Sequence, residues 1–229
     1  MARIDGERVE GALPGRQGRV AFAYLALARQ REVSRTELEG AVWPDESPHA
    51  DALSPLLSKL RRAVPLEGRS ALRLALPADA WIDVEAATEG LHRAEAAVAR
   101  GDWAAAWGPG RVAQHVAARP FLAGEELPWV EEQRRRLDEL HLRALELVGR
   151  ACLGIGGGEV DTALRAGREL IERAPYRESG TRLLMEALAA RGNRAEALVA
   201  FDALRRRLRD DLGSAPDPET QALHQRLLA

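Results

Sequence analysis

At 229 residues, with 33 Lys/Arg against 35 Asp/Glu, a formal net charge of −2 and few aromatics, the chain carries no overall field that would draw it to nucleic acid or to an anionic membrane. Cys152 is its only cysteine, which excludes an intrachain disulfide and a cysteine-based zinc site and fits a reducing cytosol. The opening residues lack the apolar core of a signal peptide and no later stretch approaches a charge-free membrane span, so a cytoplasmic protein of two ordinary domains is expected.

Residues 4–9 read as a short hairpin, with Asp5-Gly6 supplying the residues of a tight two-residue turn. Residues 17–31 place Val20, Tyr24 and Leu27 on one helical face beside Ala21, Leu25 and Ala28. Ser34-Arg35-Thr36-Glu37 has the S-x-x-E form of a reciprocal helix-start cap, and a second helix then runs through Leu38, Ala41 and Val42 to Trp43, where Pro44 stops it. Ser47-Pro48 repeats the start signal, an oxygen cap followed by Pro in the first helical position. The third helix that follows buries Leu53, Leu56, Leu57, Leu60 and Val64 and leaves Ser54, Ser58, Lys59 and Arg62 nearer the opposite side. Pro55 removes one hydrogen bond from that helix and should kink or restart it. Residues 71–76 alternate as a half-buried strand, with Leu72, Leu74 and Leu76 on one face, and residues 77–80 turn the chain toward Trp81-Ile82.

From Asp83, a candidate N-cap, the chain reads as helices with short breaks. Gly101-Asp102 separates two of them, residues 120–129 form a loop rich in Gly, Pro and acid, and a long helix spans residues 129–152. Gly158 and Ala163 recur 34 residues later as Gly192 and Ala197, the tetratricopeptide period, and Pro175 stands where such a repeat ends its second helix. Helical hairpins of this kind usually make a docking surface rather than a catalytic pocket. Gly213, Pro216 and Pro218 break the last repeat before a short capping helix. Trp103, Trp107 and Trp129 are expected in the repeat core, Trp129 becoming a partner-binding anchor if it is exposed beside its acidic loop. The glycine run 154–158 follows no strand and coincides with a repeat turn, so it reads as a turn and not as a phosphate cradle. The five histidines have no metal-ligand spacing and no nucleophile motif occurs; neither an enzyme, a metal nor a cofactor is expected.

Three helices followed by a hairpin is the plan of a winged helix-turn-helix, in which the third helix enters the major groove and the hairpin rests on phosphates. The stretch Ser34-Arg35-Thr36-Glu37-Leu38 through Val42-Trp43-Pro44-Asp45, then Leu53 and Leu57-Ser58-Lys59-Leu60-Arg61-Arg62, resembles the DNA-binding domain of SARP-type (antibiotic-regulatory) activators. The back half resembles their bacterial transcriptional activator domain, through Phe121-Leu122-Ala123-Gly124 with Pro128-Trp129, Ala174-Pro175-Tyr176-Arg177-Glu178, Leu183 to Leu188, Gly192 to Leu198, and Leu208 to Gly213 before Pro216. The resemblance implies a mainly α protein: a winged helix-turn-helix over residues 1–82 and a TPR-like repeat domain over residues 83–229. It also implies an activator that binds double-stranded promoter DNA through the winged helix and uses the helical repeats for homodimer contacts, RNA polymerase contacts or control.

Candidate DNA contacts are Arg35, His49, Ser54, Ser58, Lys59, Arg62, Arg69 and Arg73. The chain departs from the family pattern in its abbreviated N-terminal strands, in Pro55, and at the wing, where Ser70-Ala71 replaces Gly-Tyr and only residues 65–70 precede the strand, so the wing must be stubby. The first 84 residues are balanced, 12 Lys/Arg against 12 Asp/Glu. A continuous positive surface of Arg35, Lys59, Arg62, Arg69 and Arg73 would favour DNA binding. Interruption by Asp51 and Glu67 would favour the alternative, a repeat-type protein- or ligand-binding module whose winged helix no longer binds DNA.

Overall fold

A computed structural model describes residues 3–4, 7–8, 10–44, 52–77 and 80–229. The Asp5-Gly6 turn, the Ser47-Pro48 helix start, His49, Asp51 and part of the 77–80 turn therefore lie outside the described residues. Strands β1 (Arg3–Ile4) and β2 (Glu7–Arg8) pair antiparallel, Ile4 opposite Glu7. Helix α1 (Gly15–Leu27) follows, then β3 (Val33–Ser34), α2 (Arg35–Val42), α3 (Leu53–Ala63), β4 (Leu66–Glu67) and β5 (Ala71–Leu74). The last three strands form one antiparallel sheet in the order β3-β5-β4, with Val33 opposite Leu72 and Leu66 opposite Leu74. The core these elements share is aliphatic: Val20, Leu25, Val33, Leu38, Leu57, Leu60 and Leu72 are all buried. Each such side chain contributes roughly 1.5–3 kcal/mol by leaving water.

Local chemistry explains where the elements start, with two differences from the sequence reading. Ser34 caps α2, its Oγ accepting the Glu37 amide at 3.1 Å. The Glu37 carboxylate does not reach back to complete the reciprocal cap. It accepts from Arg31 at 2.5 and 3.0 Å and from the Tyr24 hydroxyl at 2.7 Å, so two stronger donors outside the helix have taken it. Pro55 does not kink α3. The helix begins at Leu53, which puts Pro55 in its first turn, where a backbone amide has no helical acceptor to lose.

Helices α4 (Asp83–Ala99), α5 (Trp103–Ala117), α6 (Pro128–Ile155), α7 (Val160–Arg173), α8 (Glu178–Ala190), α9 (Arg194–Leu212) and α10 (Pro218–Leu228) complete the chain. Two compact units result. The first comprises residues 1–82 together with 121–134, the second residues 83–120 with 135–229. Segment 121–134, which lies within the range expected for the repeat domain, groups by its contacts with residues 1–82.

In the second unit the repeat alanines, Ala163 on α7 and Ala197 on α9, are fully buried, where a larger side chain would push the helices apart. The repeat glycines are not equivalent. Gly192, between α8 and α9, has φ +80°, whereas at the earlier turn Gly156 and Gly157 hold the left-handed backbone and Gly158 sits in a 3-10 turn. Gly154 lies within α6 against the Trp103 ring; a Cβ there would fall 2.3 Å from it. Trp103 is half-buried, while Trp107, expected in the core, is 40% exposed. His141 ties three helices together: Nδ1 faces the Gln114 carbonyl of α5 at 3.2 Å and Nε2 faces the Glu169 carboxylate of α7 at 2.9 Å.

Candidate nucleic-acid interface

The amphipathic pattern of α3 sets the site. Leu53, Leu56, Leu57 and Leu60 anchor it in the core, which leaves Ser54, Pro55, Ser58, Lys59, Arg61 and Arg62 exposed. The turn between β4 and β5 is the wing, three residues long. Gly68 opens it with φ +86°, and a Cβ there would fall 1.6 Å from the Ala71 carbonyl oxygen, so no other residue fits that backbone.

Two arginines fasten α3 to the wing. Arg35, first residue of α2, donates its amide to Ser70 O at 3.2 Å and its Nη2 to Ser54 Oγ at 2.9 Å. Arg61 donates Nη2 to Gly68 O at 2.5 Å. The sequence reading did not place Arg61 at the site. Its signal was its position in the last turn of α3, just before the strand that leads into the wing, where a long donor side chain can reach a wing carbonyl.

Of the predicted contacts, Ser58, Lys59, Arg62 and Arg69 are exposed, and the three cations have no ion-pair partner among the described residues. Ser54 is engaged by Arg35. Arg73 faces Glu67 across the wing strands, with 3.7 Å between their charged groups and both largely exposed. Of the two acids expected to interrupt a positive surface, Glu67 lies beside Arg73 and Asp51 is outside the described residues; a pair as open to solvent as Arg73 and Glu67 neutralises charge weakly. His49 lies outside the described residues.

Trp129 is not an exposed anchor. It is half-buried against the first unit's core, edge-on to Tyr24 with ring centroids 5.1 Å apart, and its indole Nε1 donates to Ala41 O at 2.9 Å. Nor does it belong to the repeat core. Leu127 and Val130 beside it are buried in the same cluster. The segment is closed by Arg134, which donates to Phe121 O at 3.0 Å and to Leu122 O at 2.6 Å, and it is pinned by Arg16 to the buried Glu125 at 2.7 Å. Among the described residues no group of three His, Cys, Asp or Glu could hold a metal ion, and no helix is long and apolar enough to cross a membrane.

The architecture is a winged helix-turn-helix followed in the chain by TPR-like helical hairpins, and comparison with known proteins gives its family. The chain belongs to the bacterial transcriptional activator domain family, whose model matches residues 82–228, and it is similar to regulators of the SARP type. It is 33% identical over 232 residues to the regulatory protein AfsR of Streptomyces coelicolor, covering 98% of this chain and 23% of that protein. To AfsR of Streptomyces griseus it is 32% identical over 229 residues, covering 93% and 22%. The chain therefore spans less than a quarter of these relatives' length. Among solved structures it is similar to Mycobacterium tuberculosis EmbR in complex with a low affinity phosphopeptide, with a TM-score of 0.81 at 24% identity over 94% of this chain and 59% of that one. That likeness concerns the fold alone, and it agrees with the expected mainly α architecture.

Proposed function

We propose that this chain is a DNA-binding transcriptional activator that docks on promoter duplex through α3 and the wing, its helical repeats making dimer or RNA polymerase contacts. The observation that carries the reading is the double engagement of Arg35, by amide to the wing and by guanidinium to the first turn of α3. A reading helix and a wing held at a fixed spacing are what a duplex needs to meet both at once. Lys59, Arg62 and Arg69 supply cations for phosphate, and Ser58 a hydroxyl for a base edge or phosphate.

The test is a fluorescence-polarisation titration against duplex from the gene's own upstream region and a scrambled duplex, at low and near-physiological salt. Tighter binding to the native duplex is expected. The double substitution Lys59→Ala/Arg62→Ala should weaken binding to both and flatten the log–log salt dependence by about 2, roughly 0.9 for each lost phosphate contact. No binding even at low salt would transfer the assignment to a protein- or ligand-binding repeat module.

A further inference from the structure

The exposed face of α3 contains an apolar element that charge arguments pass over. At 3.6 residues per turn, Pro55, Ser58 and Arg62 fall within an arc of about 60°, opposite the buried leucines. Pro55 is exposed and stands in the first turn, the part of a reading helix that meets base edges. Its ring has neither donor nor acceptor, and its amide nitrogen carries no hydrogen. A base edge with an unpaired polar group opposite that ring would lose a hydrogen bond to water and gain nothing. The one apolar feature of the major groove is the thymine C5-methyl group.

The surroundings keep the ring where it is. Ser54, immediately before Pro55, is engaged by Arg35, whose own amide is bonded to the wing, and Leu56 and Leu57, immediately after it, are buried. The proline side chain also has no rotamer freedom to lose on contact, so the whole of a methyl contact would appear as affinity.

Resting on the reading of α3 as the DNA-docking helix, we propose that Pro55 is a specificity-determining residue that selects thymine through its methyl group. The half-site then carries a thymine where the first turn of α3 meets the base edges.

The test begins with selection of bound sequences from a pool of random duplexes at low salt, using the intact chain. Each thymine of the selected site is then replaced singly by deoxyuridine, which removes the methyl and leaves base pairing unchanged. Replacement at one position should weaken binding by the wild-type chain about fourfold, the value of one apolar carbon. Pro55→Ser and Pro55→Ala are exposed first-turn substitutions, and circular dichroism would verify that the fold is intact. Pro55→Ser should bind thymine and deoxyuridine duplexes equally, while Pro55→Ala should keep a reduced preference. Equal affinity of the wild type for every deoxyuridine duplex, or an undiminished preference in Pro55→Ser, overturns the assignment of Pro55 while leaving DNA binding in place. Failure to select any duplex overturns both.

Discussion

The indole Nε1 of Trp129 donates to the backbone carbonyl of Ala41, a residue 88 positions earlier in the chain, at 2.9 Å. That bond, with the edge-on contact to Tyr24, makes segment 121–134 a structural part of the winged helix-turn-helix.

Truncating the indole should therefore damage the first unit. Trp129→Ala is expected to destabilise it by about 3 kcal/mol, at the lower end of the range for large-to-small changes because the ring is only half-buried. Trp129→Phe, which keeps most of the apolar contact and loses the donor, should cost about 1 kcal/mol. Hydrogen exchange resolved by peptide would show faster amides in α1 and α2 for Trp129→Ala. Unchanged protection there would remove the proposed role of the segment.

Glu37 gives a pH dependence of determinable sign. Its carboxyl is held below the usual range, chiefly by the hydrogen bonds from Arg31 and then from Tyr24. A carboxylate depressed in the folded state adds stability above its unfolded value of about 4.3, and that contribution is lost as pH falls through the folded value. Chemical denaturation at pH 7 and at pH 3 should show wild type losing more than Glu37→Gln on acidification. The difference should stay under about 1 kcal/mol, because the carboxyl and Arg31 remain partly open to solvent.

Cys152 should be chemically silent while the protein is folded. The side chain is buried, and burial, then the adjacent Glu159 carboxylate, push its thiol up to about 11. Almost no thiolate exists at pH 8 and none is accessible. An aromatic disulfide reagent should label one thiol per chain in denaturant and label the native protein only at the rate of opening. Prompt stoichiometric labelling of the native protein would contradict this burial.

The last helix depends on one side chain. Arg182 of α8, largely buried, donates Nη1 to Asp217 Oδ2 at 2.7 Å and to Thr220 Oγ1 at 2.8 Å, and its Nη2 lies 3.1 Å from Glu219. Arg182→Ala should loosen α10 at a cost of about 2 kcal/mol, typical of a lost hydrogen bond to a charged group. Limited proteolysis should then clip near residues 213–217 faster than in wild type, with α4 and α5 unaffected.

Periodic features could be read from the residue order. The leucines of α3 mark its buried side, and the 34-residue recurrence of Ala163 as Ala197 marks equivalent buried points on two helices. Features that depend on distant partners could not. Nothing local to Trp129 says that its donor will meet Ala41, and nothing local to Glu37 says that Arg31 and Tyr24 will outcompete the Ser34 amide. Pro55 was legible as a helix-breaking residue, but its effect hinged on where α3 begins, and a boundary shift of a few residues turned a kink into an ordinary first-turn proline. The site was partly legible for the same reason. The exposed cations follow from helix period, whereas the fastening of Arg35 to Ser54 and of Arg61 to Gly68 needs the wing already in place.

A protein made from its N-terminus onward meets a scheduling constraint in the split first unit. Residues 1–82 leave the ribosome without Phe121, Leu127, Trp129 and Val130, which pack on their hydrophobic core, and about 50 more residues must be translated before those side chains exist. Until then the aliphatic face that they cover is a target for chaperones. A gene fragment ending at residue 82 would encode a product permanently in that state, so a separately expressed N-terminal half should be made with residues 121–134 grafted on through a short flexible linker.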